Sequence, residues 1–353
     1  MTYRDVGEQA RVRPGAEASG GAVVDDRQWT DIVTAATRAP SIHNTQPWLF
    51  AAHPDRLEVY TDPERSLSVL DPSGRQRVIS CGVAVEFAAV AARAEGRRVA
   101  VEELPDDGNP DHLASLRVSA PGQPTDVDRQ LAAAIGRRHT QRGAFLPRAV
   151  PSDLVDRLQT EAGEFGVWVK HISESEEEVA TVFLIARAEK IEQGEPAYRE
   201  ELERWLRTDP AAVDGVPIAA VPSADPATRP SNWLIRDFVV GSRPDTRPPA
   251  ADPDAPPPPV ERPTVLLLGT ENDDRYAWLA AGRALGRLLL SATDAGLAAS
   301  PLTQALDVPA TRGQLRSRLS LGGHPQMLLR LGYPASTGTV SGRRPVDEVL
   351  KSC

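Results

Sequence analysis

Two helical stretches, one in each half of the chain, limit what it can fold into. The first, within "DPSGRQRVISCGVAVEFAAVAARAEG", begins after Asp71-Pro72 and stops at Gly96. Its centre, Val78 to Val90, is apolar on nearly all sides, so it belongs in a core rather than on a surface. The second, "RYAWLAAGRALGRLLLSATDAG", stops at Gly296. Both carry small residues at their centres: Gly82, Ala84 and Ala88 in one, Gly282, Ala284 and Gly286 in the other. Small side chains let two helix backbones approach closely. The pair therefore predicts a core of the kind a dimer has, built inside one chain from residues 26–125 and 126–353.

The flanking pattern supports that division. Residues 1–25 lack periodicity and are predicted to be a disordered tail. A helix follows from Asp26, with Trp29, Ile32, Val33 and Ala36 on one face. After a turn come the strand-like runs "WLFAA" and "LEVYTD", and beyond Gly96 "RRVAVEEL" and "LASLRVSA". The order then partly repeats. "DRQLAAAIG" and "PSDLVDRLQTEAGEFG" are helical, "VWVKHIS" is a strand, and 175–207 is a helix or helix pair with a solvated, charged face. "TVLLLGT" is a buried strand and "QMLLRLGYP" is predicted as the final one. Residues 244–263 hold nine prolines, including the run Pro256–Pro259, which must be extended. With the stretch before it, which contains Trp233 and Phe238, this forms an insert over about 208–263, expected to be a lid ending in a surface excursion.

The formal net charge of −9 argues against a nucleic-acid partner or an anionic membrane surface. No apolar run is long enough to span a bilayer, and the polar, Gly-rich N-terminus has no signal-peptide core. Cys81 and Cys353 give neither metal spacing nor a disulfide framework. A cytoplasmic protein without a metal is expected. No P-loop, GxSxG, HExxH or GxGxxG context is present. His43, His139 and His324 have no Asp or Cys spaced to orient them, so no side chain is assigned a catalytic role.

Chemistry concentrates in four short segments. In "PSIHNTQPW", Pro40 to Trp48, the two prolines interrupt regular structure and free backbone N–H groups. Ser41, Asn44 and Gln46 add donors and acceptors suited to an aromatic ring that alternates carbonyls and nitrogens. A plain polar turn is the other reading. In "AIGRRHTQRGAF" the cluster Arg137–Arg142 calls for an anion, since guanidinium forks bind phosphate bidentately and Thr140 adds a neutral donor. Equally, cations at a helix C-terminus complement its dipole. "SGRRP", Ser341 to Pro345, is either a solvated basic tail or a further anion contact. "GLAASPLTQALDVP", residues 296–309, is a loop after a helix stop.

Taken together these strings resemble the nitroreductase superfamily, and "SIHNTQPW" most resembles its Acg-like, FMN-binding branch. The resemblance spans roughly residues 26–350 and implies an α+β nitroreductase-like fold, with two half-domains fused as an intramolecular pseudo-dimer. It implies FMN as cofactor. Pro40, Ser41, Asn44 and Gln46 would be the flavin turn, and Arg138, Thr140 and Arg142 the phosphate loop. Arg343 would be a second phosphate arm, and the backbone of Leu302, Thr303 and Gln304 would lie near flavin N5. Position 341 is Ser where the family usually has Lys. The flavin turn occurs only in the first half, and the phosphate loop and arm only in the second, which implies one complete site. The implied activity is hydride transfer from NAD(P)H through FMN to an electron-poor small molecule, by a chain expected to be a monomer. An FMN-sequestering protein and a biosynthetic FMN-dependent dehydrogenase are the alternatives.

Overall fold

The structure, a computed structural model, describes residues 24–220, 261 and 263–352. Most of the expected proline-rich excursion, lid and N-terminal tail lies outside these residues; at the end of the excursion Glu261 is buried and paired with Arg330 at 2.6 Å, not on the surface. Val24 and Asp25 are not part of a tail. Val24 is buried, its N–H donates to Pro54 O at 2.8 Å, and Asp25 caps the first helix through a capping box.

The chain runs α1 (Asp26–Thr37), a 3₁₀ turn at Ile42–Asn44, β1 (Trp48–His53), β2 (Arg56–Thr61), α2 (Arg75–Ala94), β3 (Arg97–Glu103) and β4 (His112–Pro121). It continues through α3 (Asp126–Arg137), α4 (Ser152–Gly163), β5 (Trp168–Ile172), α5 (Ser175–Gly194) and α6 (Pro196–Arg204). Two short strands follow, β6 (Leu206–Arg207) and β7 (Val216–Pro217), then β8 (Thr264–Thr270) and α7 (Arg275–Asp294). The last elements are β9 (Ala298–Pro301), α8 (Gln304–Asp307), α9 (Pro309–Arg318), β10 (His324–Gly332), α10 (Val346–Val349) and β11 (Leu350–Ser352).

One sheet has the order β11-β1-β2-β4-β3 and the other β5-β8-β10-β9. β1 alternates buried and half-buried residues, so its sheet covers the core with one face. β8 is buried along its whole length. Leu266 and Leu268 face the central core, while Val265 and Leu267 face a second layer with Leu184, Ile185, Leu302 and Leu315 of α5, the loop after β9, and α9.

α2 and α7 cross at the centre, with α1 packed on α2 and α4 on α7. The crossing requires glycine. A Cβ on Gly82 would lie 2.6 Å from Leu279 O and 2.9 Å from Gly282 Cα, well inside contact distance. The fused pseudo-dimer core is therefore what the molecule builds. Its parting line differs from a simple cut at 125/126, because β11 returns to the first half and pairs parallel with β1. The strand at "QMLLRLG" is thus not the last, and the segment 296–309 contains β9 and α8 as well as loop.

Candidate functional site

The turn between α1 and β1 is strained. His43, Asn44 and Gln46 have φ of 45°, 54° and 51°, a region non-glycine residues rarely occupy. Such strain persists only where surrounding structure over-determines it, and here the surroundings are explicit. Ser41 Oγ accepts from Gln46 N–H at 2.9 Å, and Ser80 Oγ on α2 accepts from Ile42 N–H at 3.1 Å. The Asn44 amide donates to Gly215 O at 3.0 Å and Gly342 O at 3.2 Å. The Gln46 amide donates to Val213 O at 2.8 Å and accepts from Arg344 N–H at 2.8 Å.

A cleft opens beside this turn, between the two halves. Its inner chamber is floored by Ile79 and Val83 of α2, Leu285 and Leu289 of α7, and Met327 and Leu329 of β10. Its polar rim includes Ser41, His43, Gln76, Ser300, Thr303 and Gln304. Pro40, Ser41, Arg138, Thr140 and Arg142 are shared with an outer chamber, which adds Arg38, Asn44, His139, Ser341 and Arg343. Neither half supplies both chambers.

The outer chamber is strongly cationic. Arg138 leaves the end of α3 in extended conformation, and the loop after it is stitched to the edge of β9, where Gln141 N–H donates to Ala299 O at 2.8 Å. Arg138 and Arg343 both donate to Arg38 O, the carbonyl at the end of α1, at 3.3 and 3.2 Å. Among the described residues no carboxylate pairs with Arg38, Arg138 or Arg343, and the buried Nε atoms of Arg138 and Arg343 have no hydrogen-bond partner. Burial first, then Arg343, Arg38 and Arg142, push the Arg138 guanidinium down to about 9. Burial lowers Arg142 and Arg343 to about 10, with Arg38 contributing at Arg343. A group of cations held this way is suited to a bound anion.

At the end of α3 the helix-terminus reading fits Arg137, which approaches Ala133 O at 3.4 Å and pairs with Asp294 at 3.3 Å outside the cleft, whereas Arg138 turns away to the carbonyl of Arg38 at the end of α1. Pro40, Ser41, Arg138, Thr140, Arg142, Thr303, Gln304, Asn44 and Arg343 line one or both chambers. Gln46 and Leu302 line neither. Gln46 is fully buried, with its amide engaged by residues 213 and 344, and Leu302 N–H donates to Leu328 O at 2.8 Å. The Asn44 amide, too, is a clasp more than a free donor. Residues 213–217 of the expected lid brace the turn from beneath, with Asp214 paired to Arg65 and Arg207 at 3.0 and 2.7 Å.

Sequence reasoning missed Arg38, Gln76, Ser300 and the cleft position of His43. Arg38 directly precedes Ala39-Pro40 at the helix stop, and that adjacency was the available signal. Gln76 and Ser300 stand in regular elements whose local pattern marks no site. Among the described residues no group of His, Cys, Asp and Glu could hold a metal, and no helix is long and apolar enough to cross a membrane.

No family model matches the chain. It is 37% identical over 303 residues to a Mycobacterium tuberculosis protein provisionally named NAD(P)H nitroreductase Rv3131, covering 86% of this chain and 84% of that one. It is 32% identical to the same organism's provisionally named NAD(P)H nitroreductase acg, covering 91% of this chain and 96% of the relative. Among solved structures, the FMN-dependent nitroreductase NfnB from Mycobacterium smegmatis in complex with NADPH is 17% identical, with a TM-score of 0.38, covering 64% of this chain and 99% of that one. On the extent of its identity to the two mycobacterial relatives, this chain belongs to the nitroreductase superfamily, in its Acg-like branch.

Proposed function

We propose that the cleft holds one FMN and that the chain is an NAD(P)H-dependent oxidoreductase of the nitroreductase type, acting on electron-poor small molecules. The observation that carries this reading is the joining of an apolar chamber to an arginine cluster across the seam of the two halves. The donor set fits the group. Arg138, Arg142, Arg343 and the Thr140 hydroxyl would hold the phosphate, with the buried guanidinium Nε atoms of Arg138 and Arg343 as donors that have no hydrogen-bond partner among the described residues. Ile79, Val83, Leu285, Leu289 and Met327 would flank the ring and exclude water. Ser41, Ser300, Thr303 and Gln304 would serve its polar edge.

When bound, FMN supplies hydride transfer at its N5. The chain's own part is placement and electrostatics. The two-sided clasp of Asn44 and Gln46 fixes the turn that presents Ser41, and the arginines fix the phosphate end. The internal core makes a monomer the expected state, and the names of the relatives support NAD(P)H as reductant.

Anaerobic mixing with excess NADH or NADPH tests the activity at the flavin's visible band. Bleaching that a quinone or nitroaromatic reverses is the expected result. Failure to take up FMN would remove the reading altogether. Bleaching by dithionite only would instead point to an FMN-sequestering protein.

A further inference from the structure

Residues 138–142, just after α3, carry most of the proposed phosphate donors, and the contacts that fix them come from distant parts of the chain. On one side of Arg142, Gln141 is tied to β9 through its N–H. On the other side, Gly143 to Leu146 run along the segment that leaves β10. Leu146 N–H donates to Tyr333 O at 2.8 Å, and Ala335 N–H donates to Ala144 O at 3.1 Å. Gly332 makes room for this passage, since a Cβ there would lie 2.8 Å from Cγ of the Phe145 ring.

Two backbone groups of this span, Gly143 C=O and Phe145 N–H, are met by a buried ion pair. Arg330 of β10 is fully buried, and its Nη1 donates to Glu261 Oε1 at 2.6 Å. Its Nη2 donates to Gly143 O at 3.2 Å, and its guanidinium lies 4.8 Å from the Phe145 ring centroid. The other carboxylate oxygen of Glu261, Oε2, accepts from Phe145 N–H at 2.6 Å. Two side chains and two backbone groups thus close a ring of contacts on three consecutive residues. Arg142 is the one residue between that ring and the anchor at Gln141. Along β10, Met327 and Leu329 belong to the central core and Leu328 to the second layer. By that alternation Arg330 stands on the face away from the chamber floor, so the ring of contacts bears on the phosphate end of the cleft.

A buried pair of this kind adds little net stability. Taking both charges out of water offsets most of their attraction, and apolar residues of similar volume often serve a core as well. What a guanidinium bonded through both arms provides is geometry. A loop held in place before its ligand arrives loses less freedom on binding. We propose that the Glu261–Arg330 pair is the positioning unit of the phosphate loop, holding Arg142 through Gly143 and thereby setting the cleft's preference for phosphorylated over unphosphorylated flavin. This role rests on the reading of the cleft as an FMN site.

The test titrates full-length apoprotein with FMN and with riboflavin, which has the same ring and no phosphate. The readout is the ratio of the two affinities. Arg330→Met with Glu261→Met removes both charges together, because either change alone leaves a buried charge unpaired. This variant should bind FMN about tenfold more weakly than wild type, the loss expected of one misaligned charge-assisted hydrogen bond. Its affinity for riboflavin should match that of wild type. Arg330→Lys guards against a double variant that fails to fold, since it keeps the ion pair. Lysine brings one nitrogen where arginine brings two, so it meets Glu261 and gives up Gly143 O. Its ratio should fall as well, whereas a pair that serves stability alone would be satisfied by lysine. An unchanged ratio in either folded variant, or an equal loss of both flavins, would overturn the proposal and leave the FMN reading intact. Failure of wild type to bind FMN would instead remove the reading on which it rests.

Discussion

At position 138 a guanidinium is held beside Arg142, Arg343 and the exposed Arg38 with no described carboxylate paired to it. Such a guanidinium is suited to a bound anion. Arg138→Ala and Arg142→Ala should each weaken FMN binding by about 1.5–3 kcal/mol, the range of a charge-assisted hydrogen bond. Fluorescence titration of the apoprotein measures this, and unchanged affinity in both variants would return the loop to a helix-terminus role. A second residue reports on pH. Asp71 accepts from Gln76 N–H at 3.1 Å and Arg77 N–H at 2.8 Å, yet burial pushes its carboxyl up to about 6. A carboxyl raised in the folded state favours folding while protonated, so its contribution is present below the unfolded value near 3.8 and is lost as pH rises through about 6. Urea unfolding at pH 4.5 and pH 7 should show wild type losing stability relative to Asp71→Asn across that interval. A constant gap between the two proteins would refute this. Arg138 and Arg142 were legible because clustered charge just after a helix is a local pattern, and Arg343 because it stands in a short basic run. Gln76 and Ser300 carried no such mark.

Among the elements, α2 and α7 decide whether the fold forms. Their apolar, small-residue faces were readable as core, and so were their limits at Gly96 and Gly296. Gly82→Ala would force a Cβ to within 2.6 Å of Leu279 O and should destabilise by about 1–3 kcal/mol, as overpacked cores do. Gly163→Ala, at the end of α4 where a Cβ would meet nothing within 4 Å, should be neutral or slightly stabilising. Chemical denaturation of the pair checks both, and equal effects would contradict the close crossing. β9 and β11 escaped sequence reading for a physical reason. Ala298–Pro301 and Leu350–Ser352 are too short to show alternation, and each is a strand because an edge of β10 or β1 accepts it.

For the molecule as a whole, the internal repeat places one interface within the chain, and the proposed function gives it one set of cofactor residues. Light scattering should give a single species near 38.0 kDa, with a flavin-to-protein ratio near one. A stable dimer or a ratio near two would each count against the fused arrangement as described. The C-terminal segment closes this assembly. Arg344 pairs with Asp62 at 3.1 Å, its N–H meets Gln46, and β11 then joins the first sheet.

Local order in the sequence determined the two core helices, most of the strands, the repeat and the basic loop, because periodicity, helix stops and charge clusters act over a few residues. Only the tertiary structure decided which polar groups remain available to a ligand. The amides of Asn44 and Gln46 looked free in sequence, yet their partners lie up to 299 positions away, at Gly215, Gly342, Arg343, Val213 and Arg344. A hydrogen bond satisfies an amide wherever its partner comes from, and no local pattern records a partner that distant.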